Sequence, residues 1–93
     1  MINTETFNSV WDAIADTAEQ AANLQARAEL IQQITAIIKA NDWKQTDAAT
    51  HCRVTQPRIN DLLRGRVSKF SLDALVNIAA ALGKRVHVEL KAA

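Results

Sequence analysis

The stretch from Gln45 to Gly65 constrains this chain more than any other, because its residues suit two short helices joined by a tight turn. Gln45-Thr-Asp-Ala-Ala-Thr-His predicts a helix over residues 45–51. Thr55 can cap a second over 56–64, with Pro57 in its first turn, where a missing amide hydrogen costs nothing. Gly65 can end that second helix in the left-handed conformation. Ala49 is small where the two helices must cross, and Cys52, Val54, Ile59 and Leu62 fall at inward positions. Gln56, Pro57, Asn60, Asp61 and Arg64 then lie away from the Ile59 and Leu62 face.

The flanking sequence supplies a body for that pair. Thr17-Ala-Glu-Gln20 has the form of a capping box, so a long helix should begin there. Leu24, Ala28, Ile31, Ile34, Ile37 and Ile38 keep one of its stripes apolar, and Asn41-Asp42 is a suitable stop, which predicts a scaffold helix over 18–40. Upstream, Phe7, Val10, Trp11 and Ile14 recur at helical spacing and predict a short helix over 9–16. Downstream, Ser71 caps a helix over 72–82 whose inner face should be Leu72, Leu75, Val76, Ala79 and Leu82, and Gly83 closes it. Beyond Gly83 the period changes to two: Val86, Val88 and Leu90 alternate with Arg85, His87, Glu89 and Lys91, which predicts a strand over 85–91. Trp43 and Phe70 are expected as core anchors, since neither belongs to a basic, exposed aromatic series. The expectation is one all-α domain over residues 1–93, of about five helices with a short C-terminal β-strand.

Net charge of +1 conceals an asymmetry: residues 1–42 carry −4 and residues 43–93 carry +5. Either the second half faces a polyanion or the charge is scattered over a solvated surface. From Arg53 to Lys69 there are five basic residues (Arg53, Arg58, Arg64, Arg66 and Lys69) against one acid. Such a patch gathers phosphates, releasing counterions and conferring affinity that weakens with salt. A lone Cys52 cannot form an internal disulfide and is expected to be a small core residue. The start Met-Ile-Asn-Thr-Glu lacks the basic and apolar regions of a secretory signal, and no apolar run approaches a membrane span, so a cytoplasmic, membrane-free protein is expected. His51 and His87 are too few and too isolated for a metal site, and no nucleophile has a positioned base. No catalytic residue, metal or cofactor is therefore expected.

Two short helices of this layout match the requirements of a helix-turn-helix, in which one helix crosses the phosphate backbone and the first turn of the next enters the major groove of double-stranded DNA. Gln45, Ala49, Thr55-Gln56, Ile59 and Gly65 resemble the pattern of the lambda-repressor-like (Xre) helix-turn-helix family, and the likeness covers roughly residues 30–83. Thr-Gln-Pro-Arg-Ile, the following Arg-Gly-Arg, Phe70-Ser-Leu-Asp-Ala-Leu and Val-His-Val-Glu-Leu are similar to a branch that includes antitoxins of the host-inhibition-of-growth type. The resemblance implies a base-reading set of Gln56, Pro57, Asn60 and Asp61, with Gln56 foremost because its amide can bond bidentately to adenine. It implies phosphate or groove contacts at Gln45, Thr55 and Arg58, and the basic patch adds Arg64, Arg66 and Lys69, which flank the second helix, as phosphate candidates. Asp61 stays open between accepting from a cytosine amino group, repelling the wrong phosphate and pairing with Arg58 or Arg64. Where many members have glycine in the turn, this chain has Arg53, so either the turn differs or a left-handed arginine is tolerated at about 1 kcal/mol. Pro57 occupies a position that often reads a base, which leaves fewer groups for direct readout.

The leading expectation is a transcriptional repressor acting as a homodimer on a palindromic operator, with no membrane association. A strand over 85–91 has unpaired edges, and pairing with its copy in a second subunit would bury Val86, Val88 and Leu90; pairing with residues 2–8 of the same chain is the alternative. The other functional expectation is an antitoxin that neutralises a small, basic, co-encoded ribonuclease-type toxin, through the acidic N-terminal half and the Phe7, Val10, Trp11 and Ile14 stripe. That stripe could equally pack against the long helix.

Overall fold

The structure, a computed structural model, describes residues 17–92. Thr17 opens the first helix as its capping pattern requires: its backbone is extended and its Oγ1 accepts the amide hydrogen of Gln20 at 3.0 Å. Helix α1 then runs Ala18–Ala40. Helix α2, Gln45–Cys52, follows after a short connection, and helix α3, Gln56–Leu63, begins behind the side-chain cap of Thr55. A single 3-10 turn at Val67–Lys69 leads to helix α4, Leu72–Ala81, capped by Ser71 Oγ, which accepts from Ala74 at 3.1 Å. Four helices and one 3-10 turn, with no strand, make up the regular structure among the described residues. The helix expected over 9–16, with Phe7, Val10, Trp11 and Ile14, lies outside those residues.

All four helices end alike. In each, two amides just past the last turn fold back onto orphan carbonyls, the Schellman pattern, and the chain reverses through a left-handed residue. Those residues are Asp42 (φ 54°), Arg53 (φ 58°), Gly65 (φ 69°) and Gly83 (φ 76°). Gly65 and Gly83 adopt the conformation freely, whereas Asp42 and Arg53 hold it against the Cβ clash.

Packing is organised around α1. Its Ile31, Ile34 and Ile38 join Ala48, Ala49 and Cys52 of α2, Ile59 and Leu62 of α3, Phe70, and Leu75 and Ile78 of α4 in one core. Helices α2 and α3 pack on each other, α1 contacts α3 and α4, and α2 also touches α4. Ala48 is fully buried beside Ala49, so two small residues rather than one allow the close crossing. Trp43 is half-buried and stacks on His51, with ring centroids 4.0 Å apart and planes 10° from parallel. Phe70 is fully enclosed.

Two expectations need correction. The strand over 85–91 is not formed: among the described residues that segment has no backbone ladder. A strand exists only through the partner that satisfies its amides and carbonyls, and the described residues present none. Val86 is half-buried, but Val88 and Leu90 are 80% and 97% exposed. On α4, Ile78 enters the core and Val76, expected inside, is 41% exposed. The 100° step per residue places Val76 on the shoulder of the helix, beside rather than within the seam made by Leu75, Ile78 and Ala79.

Candidate nucleic-acid interface

The geometry of the helix pair follows from its turn. Arg53 takes the left-handed conformation, so the chain reverses within three residues and Thr55 can cap α3 immediately. The amide of Val54 donates to Ala49 O at 3.0 Å and that of Arg53 to Thr50 O at 3.3 Å, which fixes the angle between α2 and α3. A non-glycine residue there stores about 1 kcal/mol of strain. The Arg53 side chain is exposed, with no hydrogen-bond or ion-pair partner among the described residues.

With Ile59 and Leu62 fully buried, α3 turns its other side outward. Gln56 and Pro57 are exposed at its first turn, Asn60 and Asp61 are half-buried one turn on, and Arg64 is exposed at its end. Gln45 is exposed at the start of α2, and Thr55 stands at the α3 cap. Among the described residues, the side chains of Gln45, Gln56, Asn60, Arg64 and Lys69 have no hydrogen-bond or ion-pair partner. They retain the donors and acceptors that base edges and phosphates require.

The other two arginines and the acid are committed within the fold. Arg66 Nη1 donates to Asp61 Oδ1 at 3.0 Å, and its backbone amide donates to Asp61 O at the same distance. Asp61 thus pairs with Arg66, five residues on, rather than with Arg58 or Arg64. The Gly65 reversal brings Arg66 back over the last turn of α3, an approach that helical spacing alone does not reveal. Arg66 remains 45% exposed, so its other guanidinium donors stay accessible, while the Asp61 carboxylate, 18% exposed, is largely covered.

Arg58 is held differently. Its guanidinium lies 4.4 Å from the centroid of the Phe70 ring, and its Nη1 donates to Lys69 O at 2.8 Å. From the opposite side Arg27 of α1 donates through Nη1 to Phe70 O at 3.2 Å and through Nε to Asn23 Oδ1 at 2.6 Å. Two arginines therefore clamp the 3-10 turn that carries Lys69 between the helix-turn-helix and the scaffold. Neither Arg27 nor this role of Arg58 was visible in the sequence, because the contact of Arg27 spans 43 residues.

The result is a helix α3 with an exposed amide side chain at its start and Arg64 at its end, followed by Arg66 over its last turn and Lys69 in the 3-10 turn. Burial pushes the Cys52 thiol up, which keeps it protonated as a core residue. Among the described residues no group of three His, Cys, Asp or Glu side chains could hold a metal ion, and no helix is long and apolar enough to cross a membrane. A family model described as a helix-turn-helix domain matches residues 13–91, most of the chain. No curated protein is similar enough to be matched.

Proposed function

The chain belongs to the helix-turn-helix domain family, and from that premise we propose that it is a sequence-specific transcriptional repressor that binds a palindromic operator as a homodimer. The observation that carries the reading is the first turn of α3, where Gln56 is exposed and unpartnered directly behind the Thr55 cap. There its amide can meet N6 and N7 of an adenine in the major groove. Gln45 at the start of α2, with Arg64, Arg66 and Lys69 beyond α3, supplies the phosphate contacts that hold the helix in register. Pro57 adds an apolar surface suited to a thymine methyl, and Asn60 a second amide one turn deeper. Asp61 acts chiefly by orienting Arg66.

The dimer is supported by the segment 85–91, whose apolar residues Val88 and Leu90 are left in solvent by a single chain. Selection of binding sites from random duplex DNA tests the whole reading. The expected product is a two-fold symmetric site with half-sites about one helical turn apart. An asymmetric single site would remove the dimer, and no enrichment at all would remove sequence-specific regulation.

A second role, as an antitoxin that autoregulates its operon, is favoured by the charge of −4 on residues 1–42 and by the Phe7, Val10, Trp11 and Ile14 stripe. Removing residues 1–16 should abolish neutralisation of a small basic toxin encoded beside the gene and leave operator binding intact. Unchanged neutralisation would exclude that segment as the toxin surface.

A further inference from the structure

Residues 84–89 run along a groove between α1 and α4. Val86 is half-buried there, and a part of the groove of about 410 Å³ is lined by Leu30, Leu72, Val76, Val86 and Val88 together with the polar His87 and Glu89. Further on, the alternation read in the sequence persists in the side chains. His87 Nε2 and Lys91 Nζ lie 3.7 and 3.5 Å from the two carboxylate oxygens of Glu89, so residues 87, 89 and 91 share one side. Val86, Val88 and Leu90 then share the other, and of these only Val86 is half-buried, Val88 bordering the groove while largely exposed.

We infer that this segment pairs with its copy in a second chain, antiparallel, about a two-fold axis passing through Val88. The inference rests on the dimer proposed above and adds its register. In an antiparallel pair, directly opposite residues point to the same face, so only a register that sets apolar residues opposite apolar ones buries a continuous stripe. Centring on Val88 places Val88 against its own copy and Val86 against the partner subunit's Leu90, which uses all three apolar residues of each chain. Shifting the axis to His87 sets Leu90 opposite Lys84 and His87 opposite itself. Shifting it to Glu89 brings two carboxylates together, sets His87 opposite the partner subunit's Lys91 and leaves Val86 only a small alanine opposite it.

Two further observations favour the Val88 register. It sets His87 opposite the partner subunit's Glu89 twice over, a complementary pair. The like-charged pairing of Arg85 with the partner subunit's Lys91 falls at the ends of the ribbon, where solvent screens it. It also explains the 97% exposure of Leu90. Opposite the partner subunit's Val86, Leu90 reaches the partner's groove and covers the shoulder where Val76 is left open, so each chain completes the other's surface.

Cysteine cross-linking decides the register. In a Cys52→Ala background, Val88→Cys should form a disulfide-linked dimer under mild oxidation on the order of tenfold faster than His87→Cys or Glu89→Cys, since only directly opposite residues come within the Cα separation of about 4.4–6.8 Å that a disulfide needs. Leu90→Cys alone should not cross-link, as its two copies stand about 13 Å apart along the ribbon. Mixing it with Val86→Cys should restore a cross-linked heterodimer. Fastest cross-linking at position 87 or 89, with sedimentation still giving a dimer, would overturn the register and leave the dimer standing. A monomer by sedimentation of the unaltered chain would overturn both.

Discussion

The helix-turn-helix and the segment that follows Gly83 are both legible as repeating patterns, yet among the described residues only the first is completed. Helices α2 and α3 close their hydrogen bonds internally, α3 behind the side-chain cap of Thr55, and bury Ala48, Ile59 and Leu62 almost completely. Residues 85–91 carry an equally regular alternation, but their backbone finds no ladder and two of their three apolar side chains stay in water. A helix closes its hydrogen bonds within itself, whereas a strand borrows them from elsewhere. The first region is therefore complete within the described residues, whereas the second lacks the ladder that would make it a strand.

Mutation should separate the two regions sharply. Ile59→Ala removes a fully buried side chain from the seam of α1, α2 and α3 and should lower stability by about 2–5 kcal/mol, read by chemical denaturation. Arg58→Ala should come next, at about 1–2 kcal/mol, because it loses both the Phe70 ring contact and the bond to Lys69 O. Arg53→Gly should act in the opposite direction and raise stability by up to about 1 kcal/mol, since glycine accepts the left-handed turn without the Cβ clash but loses more chain entropy on folding. A destabilised Arg53→Gly would show that the arginine makes a contact outweighing its strain. Leu90→Ala should have the smallest effect, within about 0.5 kcal/mol in dilute protein, and should weaken unfolding resistance only at concentrations where the dimer forms. A large, concentration-independent loss at Leu90 would erase the contrast, because it would mean that the segment is part of the monomer's own fold.

The same division explains what the sequence disclosed. Thr17, Thr55 and Ser71 announced the helix starts because capping acts over three residues, and Gly65 and Gly83 announced two of the ends for the same reason. Asp42 and Arg53 end their helices by the identical hydrogen-bond pattern; Asn41-Asp42 suits a stop and the resemblance leaves a left-handed Arg53 open, but a residue with a Cβ does not by itself specify that conformation. Among candidate site residues, exposure of Gln56 and Arg64 followed from helical phase against Ile59 and Leu62, whereas Gln45 rested on the resemblance. The pairing of Asp61 with Arg66 and the double arginine clamp on the 3-10 turn did not, because they arise where the chain leaves its helices. Val76 marks the limit of phase arguments within a helix: an apolar residue on the shoulder of α4 is shielded or bare according to what lies beside it.

The central claim is that α3 reads bases through Gln56 while Arg66 holds the backbone, and binding titrations on operator and scrambled duplexes at two salt concentrations test it most directly. Gln56→Ala should lose about 1–3 kcal/mol on the operator and little on scrambled DNA, with its salt dependence unchanged. Arg66→Ala should weaken both duplexes alike and flatten the salt slope by about one unit. Equal weakening of both duplexes by Gln56→Ala, or a discrimination loss confined to Arg66→Ala, would contradict that division of labour.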